Sequence, residues 1–355
     1  MAKVVVGMSG GVDSAVAAYL VKKEGHDVTG VFMNNWEEKD ESGVCTSEKD
    51  WSDARRVCEM LDIPAYSVNF AAQYRERVFS HFLEEYRRGR TPNPDVLCNR
   101  EIKFDVFLNF ALTLGAEYLV TGHYAGVEHG KIHRLLRARD ENKDQTYFLY
   151  MLGQRALSKA YFPLQNITKP EVRAIAAELK LPVSEKKDST GVCFIGERNF
   201  REFLMNYLPA QPGDIVTLDG KKVGRHVGLM YYTPGQRRGL GIGGMGTGER
   251  WFVVKKDMAN NLLVVDQGAD SPLLYTDESD GDEITWTRGE APGRDGTDIP
   301  VLVRLRHRQP LQQAVITLHG DDVHMRFLTP QRAVTPGQSA VFYRDDECLG
   351  GAIIK

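Results

Sequence analysis

The sequence predicts an α/β protein. A parallel sheet with helices on both faces comes first, then a small β-rich domain, then a C-terminal β-barrel. Three observations carry this reading. Residues 3–20 run from strand to glycine turn to helix without a break. Strand-like and helix-like segments then alternate through the first half. From about residue 209 helical periodicity gives way to dense glycine and short alternating runs. The implied domains are 1–208, 209–268 and 269–355.

Each element has a local reason. Val4, Val5 and Val6 are β-branched and read as a buried strand. Gly10 and Gly11 make the turn, with Ser9 and Ser14 on either side and Asp13 inside it. Ala15, Val16, Ala18, Tyr19 and Leu20 give the helix its apolar positions, and Gly25 ends it. Residues 28–33 read as the second strand. Trp51, Ala54, Val57, Cys58 and Leu61 lie at helical spacing over 47–61, and 66–70 is a third strand. A helix over 104–114 leads through Gly115 to a fourth strand, 118–125, whereas 89–104, with two prolines, reads as a loop. Thr168 and Glu171 form a capping box for a helix over 168–180. The acidic stretch 269–299 reads as a hinge. The runs IPVLVRLRHRQ, QQAVITLHG, DVHMRFLT and SAVFYRD are strands of the barrel.

Composition narrows the function. The chain has 355 residues, 42% of them hydrophobic, and a formal net charge of −3, so nucleic-acid binding would have to come from local basic patches. Such patches exist at Arg87-Arg88-Gly89-Arg90, Arg134 to Arg139, Arg237-Arg238 and Arg304-Arg306-Arg308. No long apolar run predicts a membrane span, and MAKVVVGMSGG enters a core strand with no room for a leader. The expected location is cytoplasmic. Cysteines 45, 58, 98, 193 and 348 are few, and no C-x-x-C pair suggests structural zinc.

The N-terminal turn is the strongest chemical signal. Free backbone N–H groups at a helix start favour an anion, and glycine lets the backbone approach phosphate oxygens. A Walker A loop would need Lys before its Ser, but Asp13 precedes Ser14. The spacing G-x-G-x-x-G is absent as well. SGGVDS instead resembles the pyrophosphate-binding loop of enzymes that cleave ATP between its α- and β-phosphates. That resemblance implies ATP contacts from Gly7, Met8, Ser9, Gly10, Gly11, Val12, Asp13 and Ser14. Met33 and Gly122, at the ends of two strands, are candidates for the adenine and ribose rim.

Cys98 and Cys193 lie in turn-rich stretches far apart in sequence. From spacing alone, two inert buried thiols and a working pair are equally open readings. Cys58 reads as core, Cys348 as structural in a terminal hairpin, and Cys45 stays ambiguous. SGGVDS, VFMNNW, TPNPDVLCN, TGHYA, KDQTYFL, DSTGVCFIGER, GQRRGLGIGG and PGQSAVFY follow one another along nearly the whole chain. Together they resemble the bacterial tRNA-specific 2-thiouridylase family, whose members place sulfur on the wobble uridine of tRNA.

That resemblance implies a Rossmann-like ATP-pyrophosphatase domain and a specific chemistry. The uracil 2-carbonyl is adenylated by ATP, with magnesium assisting and Asp13 as a candidate to orient the ion. Cys193 carries sulfur as a persulfide, Cys98 resolves it, and a Cys98–Cys193 disulfide remains. Base contact falls on Asn93, Pro94 and Asp95. Further tRNA contacts fall on His123, Lys143, Asp144, Gln145, Arg306, His307 and Gln338. Family members often carry Tyr where His307 stands, which weakens a stacking role there. The implied partners are tRNAs for Lys, Glu and Gln and a sulfur donor, either a cysteine desulfurase or a relay carrier. Two alternatives stand beside this: another ATP pyrophosphatase, such as an amidotransferase or synthetase, and a non-catalytic nucleotide- and RNA-binding module. An iron–sulfur cluster on Cys98 and Cys193 lacks a third ligand with suitable spacing.

Overall fold

A computed structural model describes residues 1–37, 46–188, 200–243 and 246–355. The strands, in chain order, fall into three sheets. β1 (Lys3–Met8), β2 (Asp27–Asn34), β3 (Ala65–Asn69) and β4 (Tyr118–Val120) belong to the first. β5 (Gly126–Glu128) and β6 (Arg134–Leu136) form a hairpin, and β7 (Ala160–Tyr161) completes the first sheet. Its order is β3-β2-β1-β4-β7, all parallel, with β1 in the centre.

The valines of β1 explain why both faces are covered. Val4 and Val6 pack into one apolar layer with the first helix α1 (Val12–Lys23), the second helix α2 (Thr46–Met60) and helix Lys169–Glu178. Val5 points into the other layer, which is rich in aromatics: Tyr74, Phe79, Phe82 and Phe107. All three valines are fully buried, as expected for a strand covered on both sides. The order reverses beside β1, so the crevice between the carboxyl ends of β1 and β4 is where such a sheet holds a ligand.

The second sheet contains β8 (Gly213–Val216), β9 (Lys222–His226), β10 (Trp251–Asp257) and β11 (Leu262–Gln267), in the order β10-β11-β8-β9. The third contains β12 (Tyr275–Trp286), β13 (Asp298–Arg304), β14 (Gln312–His319), β15 (Asp322–Arg332), β16 (Ser339–Arg344) and β17 (Glu347–Ile354). Pairing of β12 with both β15 and β17 closes these six into a ring, and the β5–β6 hairpin adds to β17 from outside.

Three local expectations need correction. The region 269–299 is not a hinge. Its centre is β12, twelve residues long, which closes the barrel. One of its charges is met laterally, with His324 at 2.8 Å from Asp280, and Gly281 lets β12 approach Ala352 and Val323. The fourth strand stops at Val120, because the chain beyond it turns against the start of α1. A Cβ on Gly122 would stand 2.7 Å from the Asp13 carbonyl carbon. The segment 89–104 is helical from Pro94. Asn93 caps it by accepting the Asp95 N–H, Pro94 takes the first turn, and the helix widens into a π-helix over Cys98–Phe107. The capping box stands as expected, with the Thr168 N–H donating to Glu171 at 2.7 Å.

Candidate active site

The turn after β1 has the shape its sequence suggested. Gly10 adopts φ +70° and a Cβ there would overlap the Asp50 carbonyl, so the position tolerates glycine alone. Gly11 precedes the first helical residue with an extended backbone, and no side chain caps the helix. The first-turn donors of α1 are therefore open to an outside anion. Ser14 shapes the turn: its hydroxyl accepts the Ser9 N–H at 3.1 Å and donates to the Gly11 carbonyl at 3.1 Å. Met8 and Val12 are buried by their side chains and can serve a nucleotide only through the backbone. Gly7 lies within β1, where a Cβ would press on Phe107 at 3.1 Å.

Asp13 is embedded in charge. Its two oxygens accept from the Lys169 ammonium at 2.7 and 2.8 Å, and the Tyr124 hydroxyl donates to it at 2.8 Å. Lys169 also meets Asp188 at 2.8 Å, and Asp188 is held further by Lys143 at 2.7 Å and Arg173 at 2.8 Å. Burial pushes the Asp188 carboxyl up, but hydrogen bonds from Lys143 and Lys169 outweigh it and hold it at about 2. On the other side of the turn, Lys186 donates to the Gly10 carbonyl at 2.9 Å and to Asp50 and Asp53 at 2.7 Å each. Asp13 thus has the Lys169 ammonium on both of its oxygens in this structure. Among the described residues no group of three or more His, Cys, Asp or Glu could hold a metal ion.

Met33, half-buried, is the next-to-last residue of β2, and Gly122 lies two residues beyond β4, so both lie at carboxyl ends of the sheet. His123 is buried. Its Nδ1 pairs with the Thr121 hydroxyl at 2.7 Å and its Nε2 lies 3.5 Å from Lys103. Burial and the neighbouring Lys103 push its pKa well below the ordinary value. Cys98 is 2% exposed, at the point where helix Pro94–Leu97 becomes the π-helix. Burial raises Asp95 and Lys103 opposes the rise. Cys193 and Cys45 lie outside the described residues. Cys58 and Cys348 are core thiols, and burial pushes Cys58 up to about 11.

The barrel comes up against the Asn93 loop. Pro336 accepts the Thr91 N–H at 2.8 Å, Gln338 donates to the Thr91 carbonyl at 2.6 Å, and a Cβ on Gly337 would stand 2.8 Å from Arg90 Cβ. Tyr147 spans the same seam, donating to the Ser339 carbonyl at 3.1 Å. His307 Nε2 donates to the Asp144 carbonyl at 3.1 Å, and its ring lies 4.4 Å from that of Phe148. Gln145 accepts the Tyr124 N–H at 2.9 Å, and Arg306 donates to the Ala333 carbonyl at 2.8 Å.

Asp144 and His123 are not on the surface. Asp144 is 1% exposed and accepts from Arg304 at 2.8 Å and from the Thr146 hydroxyl at 2.9 Å. In this arrangement the Asp144 carboxylate is engaged inside the protein by Arg304 and Thr146.

Family models match the chain in three consecutive pieces. They are described as a tRNA methyl transferase HUP domain over residues 2–197, a tRNA methyl transferase PRC-barrel domain over 201–267 and an aminomethyltransferase beta-barrel domain over 277–354. The tRNA-specific 2-thiouridylase MnmA of Bacillus velezensis is 56% identical over 356 residues, which cover 99% of this chain and 94% of that one. Those of Alkaliphilus oremlandii and Thiobacillus denitrificans are each 56% identical, over 99% of this chain and 96% and 99% of theirs. The chain belongs to the tRNA-specific 2-thiouridylase family.

Within this thiouridylase framework, the sequence reading gave no role to Lys169, Tyr124, Asp188 and Arg173. Tyr124 and Asp188 lie in the motifs TGHYA and DSTGVCFIGER, but Lys169 and Arg173 stand in no recognisable pattern. Lys169 follows the cap of a helix more than 150 residues from the turn it faces, and only the packing of that helix on α1 brings it there. Lys143, expected at tRNA, is drawn into the same group through Asp188. Among the described residues no helix is long and apolar enough to cross a membrane.

Proposed function

We propose that this enzyme carries out ATP-dependent 2-thiolation of the wobble uridine of tRNA in the cytoplasm. The uracil O2 attacks the α-phosphorus of ATP, pyrophosphate leaves, and the base carries AMP on its former carbonyl oxygen. The outer sulfur of a Cys193 persulfide then attacks C2. Cys98 thiolate attacks the inner sulfur of Cys193, the S–S bond breaks towards the base, and AMP departs. One disulfide remains, to be reduced before the next turnover. The turn Ser9–Ser14 cradles the pyrophosphate portion, Met33 and Gly122 border the nucleoside, and Asn93, Pro94 and Asp95 meet the base. The domains 1–208, 209–268 and 269–355 divide the work into catalysis, connection and tRNA holding. Magnesium enters with the nucleotide phosphates. Sulfur arrives from a desulfurase or relay protein, and the tRNAs are those for Lys, Glu and Gln.

The observation that carries this reading is full-length kinship with 2-thiouridylases at 56% identity. The glycine turn opens on the crevice beside Gly122, and helix Pro94–Leu97, flanked by Asn93 and Cys98, belongs to the same half of the chain. The test is tRNA-dependent release of pyrophosphate from ATP, followed by mass spectrometry of tRNA nucleosides after a sulfur source is added. Release of pyrophosphate and 2-thiouridine are expected from the wild type. Cys98→Ser and Cys193→Ser should still transfer the α-phosphate to tRNA but make no 2-thiouridine. No pyrophosphate release with intact tRNA would overturn the assignment.

A further inference from the structure

The cluster around Asp188 has a feature that the reaction above does not use. Asp13 and Asp188 are two carboxylates held by three cations, Lys169, Lys143 and Arg173. The ammonium of Lys169 is shared: it donates to Asp13 in the first turn of α1 and to Asp188. The Lys169 side chain is 11% exposed, so it has little water to fall back on. A polyphosphate seated on the N-terminus of α1 would bring several negative charges beside Asp13, within reach of the same ammonium. Two anions then compete for Lys169.

Resting on the functional reading above, we infer that Lys169, with Lys143 behind it, is the side-chain cation that takes up the departing pyrophosphate. Asp188 is the internal carboxylate that holds those cations in place until nucleotide arrives. Its two oxygens do what phosphate oxygens would do, with Lys143 on one and Lys169 and Arg173 on the other. Arg173 also donates to the Ser184 carbonyl at 2.7 Å. This keeps Asp188 in place after the lysines turn to phosphate. Lys186 stands apart from this exchange, because it binds the carbonyl face of the turn together with Asp50 and Asp53.

The test is a double-mutant cycle on Asp188→Asn and Lys169→Gln, read by calorimetric affinity for magnesium pyrophosphate and for a non-hydrolysable ATP analogue. Asp188→Asn, which keeps size but removes the negative charge and one acceptor oxygen, should bind pyrophosphate three- to tenfold more tightly. Lys169→Gln should lose at least tenfold. In the double variant the gain from Asp188→Asn should vanish, since competition acts through Lys169. Asp188→Glu should restore wild-type affinity. An unchanged affinity in Asp188→Asn, or a gain that persists without Lys169, overturns the inference while nucleotide binding itself stands. If the folded wild type binds neither ligand, the functional reading fails and the inference with it. Circular dichroism of each variant separates loss of affinity from loss of fold.

Discussion

At the residue scale the site depends on positions where one atom decides the outcome. Gly10 has φ +70° and no space for a Cβ against the Asp50 carbonyl. Gly10→Ala is expected to cost at least about 1 kcal/mol of stability from backbone conformation alone. It should also displace the turn, so that nucleotide affinity falls by tenfold or more while far-UV circular dichroism stays native. Calorimetric titration with the ATP analogue checks this, and an alanine variant that binds normally would show that the turn does not need its left-handed conformation. The Gly10 requirement was legible in the sequence, because a glycine pair between a valine strand and a helix start has few other uses. Lys169 was not, because a single lysine after a capping threonine carries no pattern until the helix is packed.

At the scale of elements, the β5–β6 hairpin leaves the nucleotide-binding half of the chain and joins the barrel. Leu135 and Leu136 pair with Cys348 and Glu347. Glu347 locks the junction, accepting from Arg134 at 2.9 Å and from Arg288 at 2.6 Å. Burial pushes its carboxyl up, but Arg288 and Arg134 outweigh this and hold it below the ordinary value. A carboxylate lowered on folding contributes stability that is present above its unfolded pKa and is lost as pH falls through its folded one. Glu347→Gln leaves Arg288 without this carboxylate and Arg134 with Glu128, both arginines partly exposed to water, and is expected to cost about 1–2 kcal/mol at neutral pH. The melting-temperature gap between wild type and variant should close as pH drops below about 4. A gap of constant size across that range would show that packing rather than charge holds the hairpin.

The same scale shows why some strands were legible and others were not. β13 to β15 alternate inward and outward residues, one face buried and one wet, so period two is visible in the sequence, whereas β16 is buried on both faces. β12 reads YTDESDGDEITW, and its charges pair with neighbours such as His324. Its place in the barrel comes from pairing with β15 and β17 rather than from an apolar stripe. A two-residue strand such as β7 offers no period at all.

At the scale of the whole molecule, the barrel and the nucleotide-binding domain are joined through Asp144 and Arg304, two buried charges 2.8 Å apart. This changes what the basic run Arg304, Arg306 and Arg308 can do. Arg304 is 4% exposed and committed to Asp144, so removing it leaves the buried carboxylate to Arg137, 3.6 Å away. Loss of Arg304 should destabilise the protein by about 3–5 kcal/mol, whatever the partner. Arg306 and Arg308 are exposed, Arg306 with a hydrogen bond to the Ala333 carbonyl, and under the proposed function both would meet phosphates of the tRNA. The paired substitution Arg306→Gln and Arg308→Gln is therefore expected to leave the melting temperature within a degree or two. It should weaken tRNA binding and lower the slope of log affinity against log salt by about 1–2. Filter binding across a salt series measures both quantities. An unchanged slope in a folded variant would place the tRNA away from this edge of the barrel. A large drop in melting temperature would mean that the two exposed arginines belong to the same structural joint as Arg304.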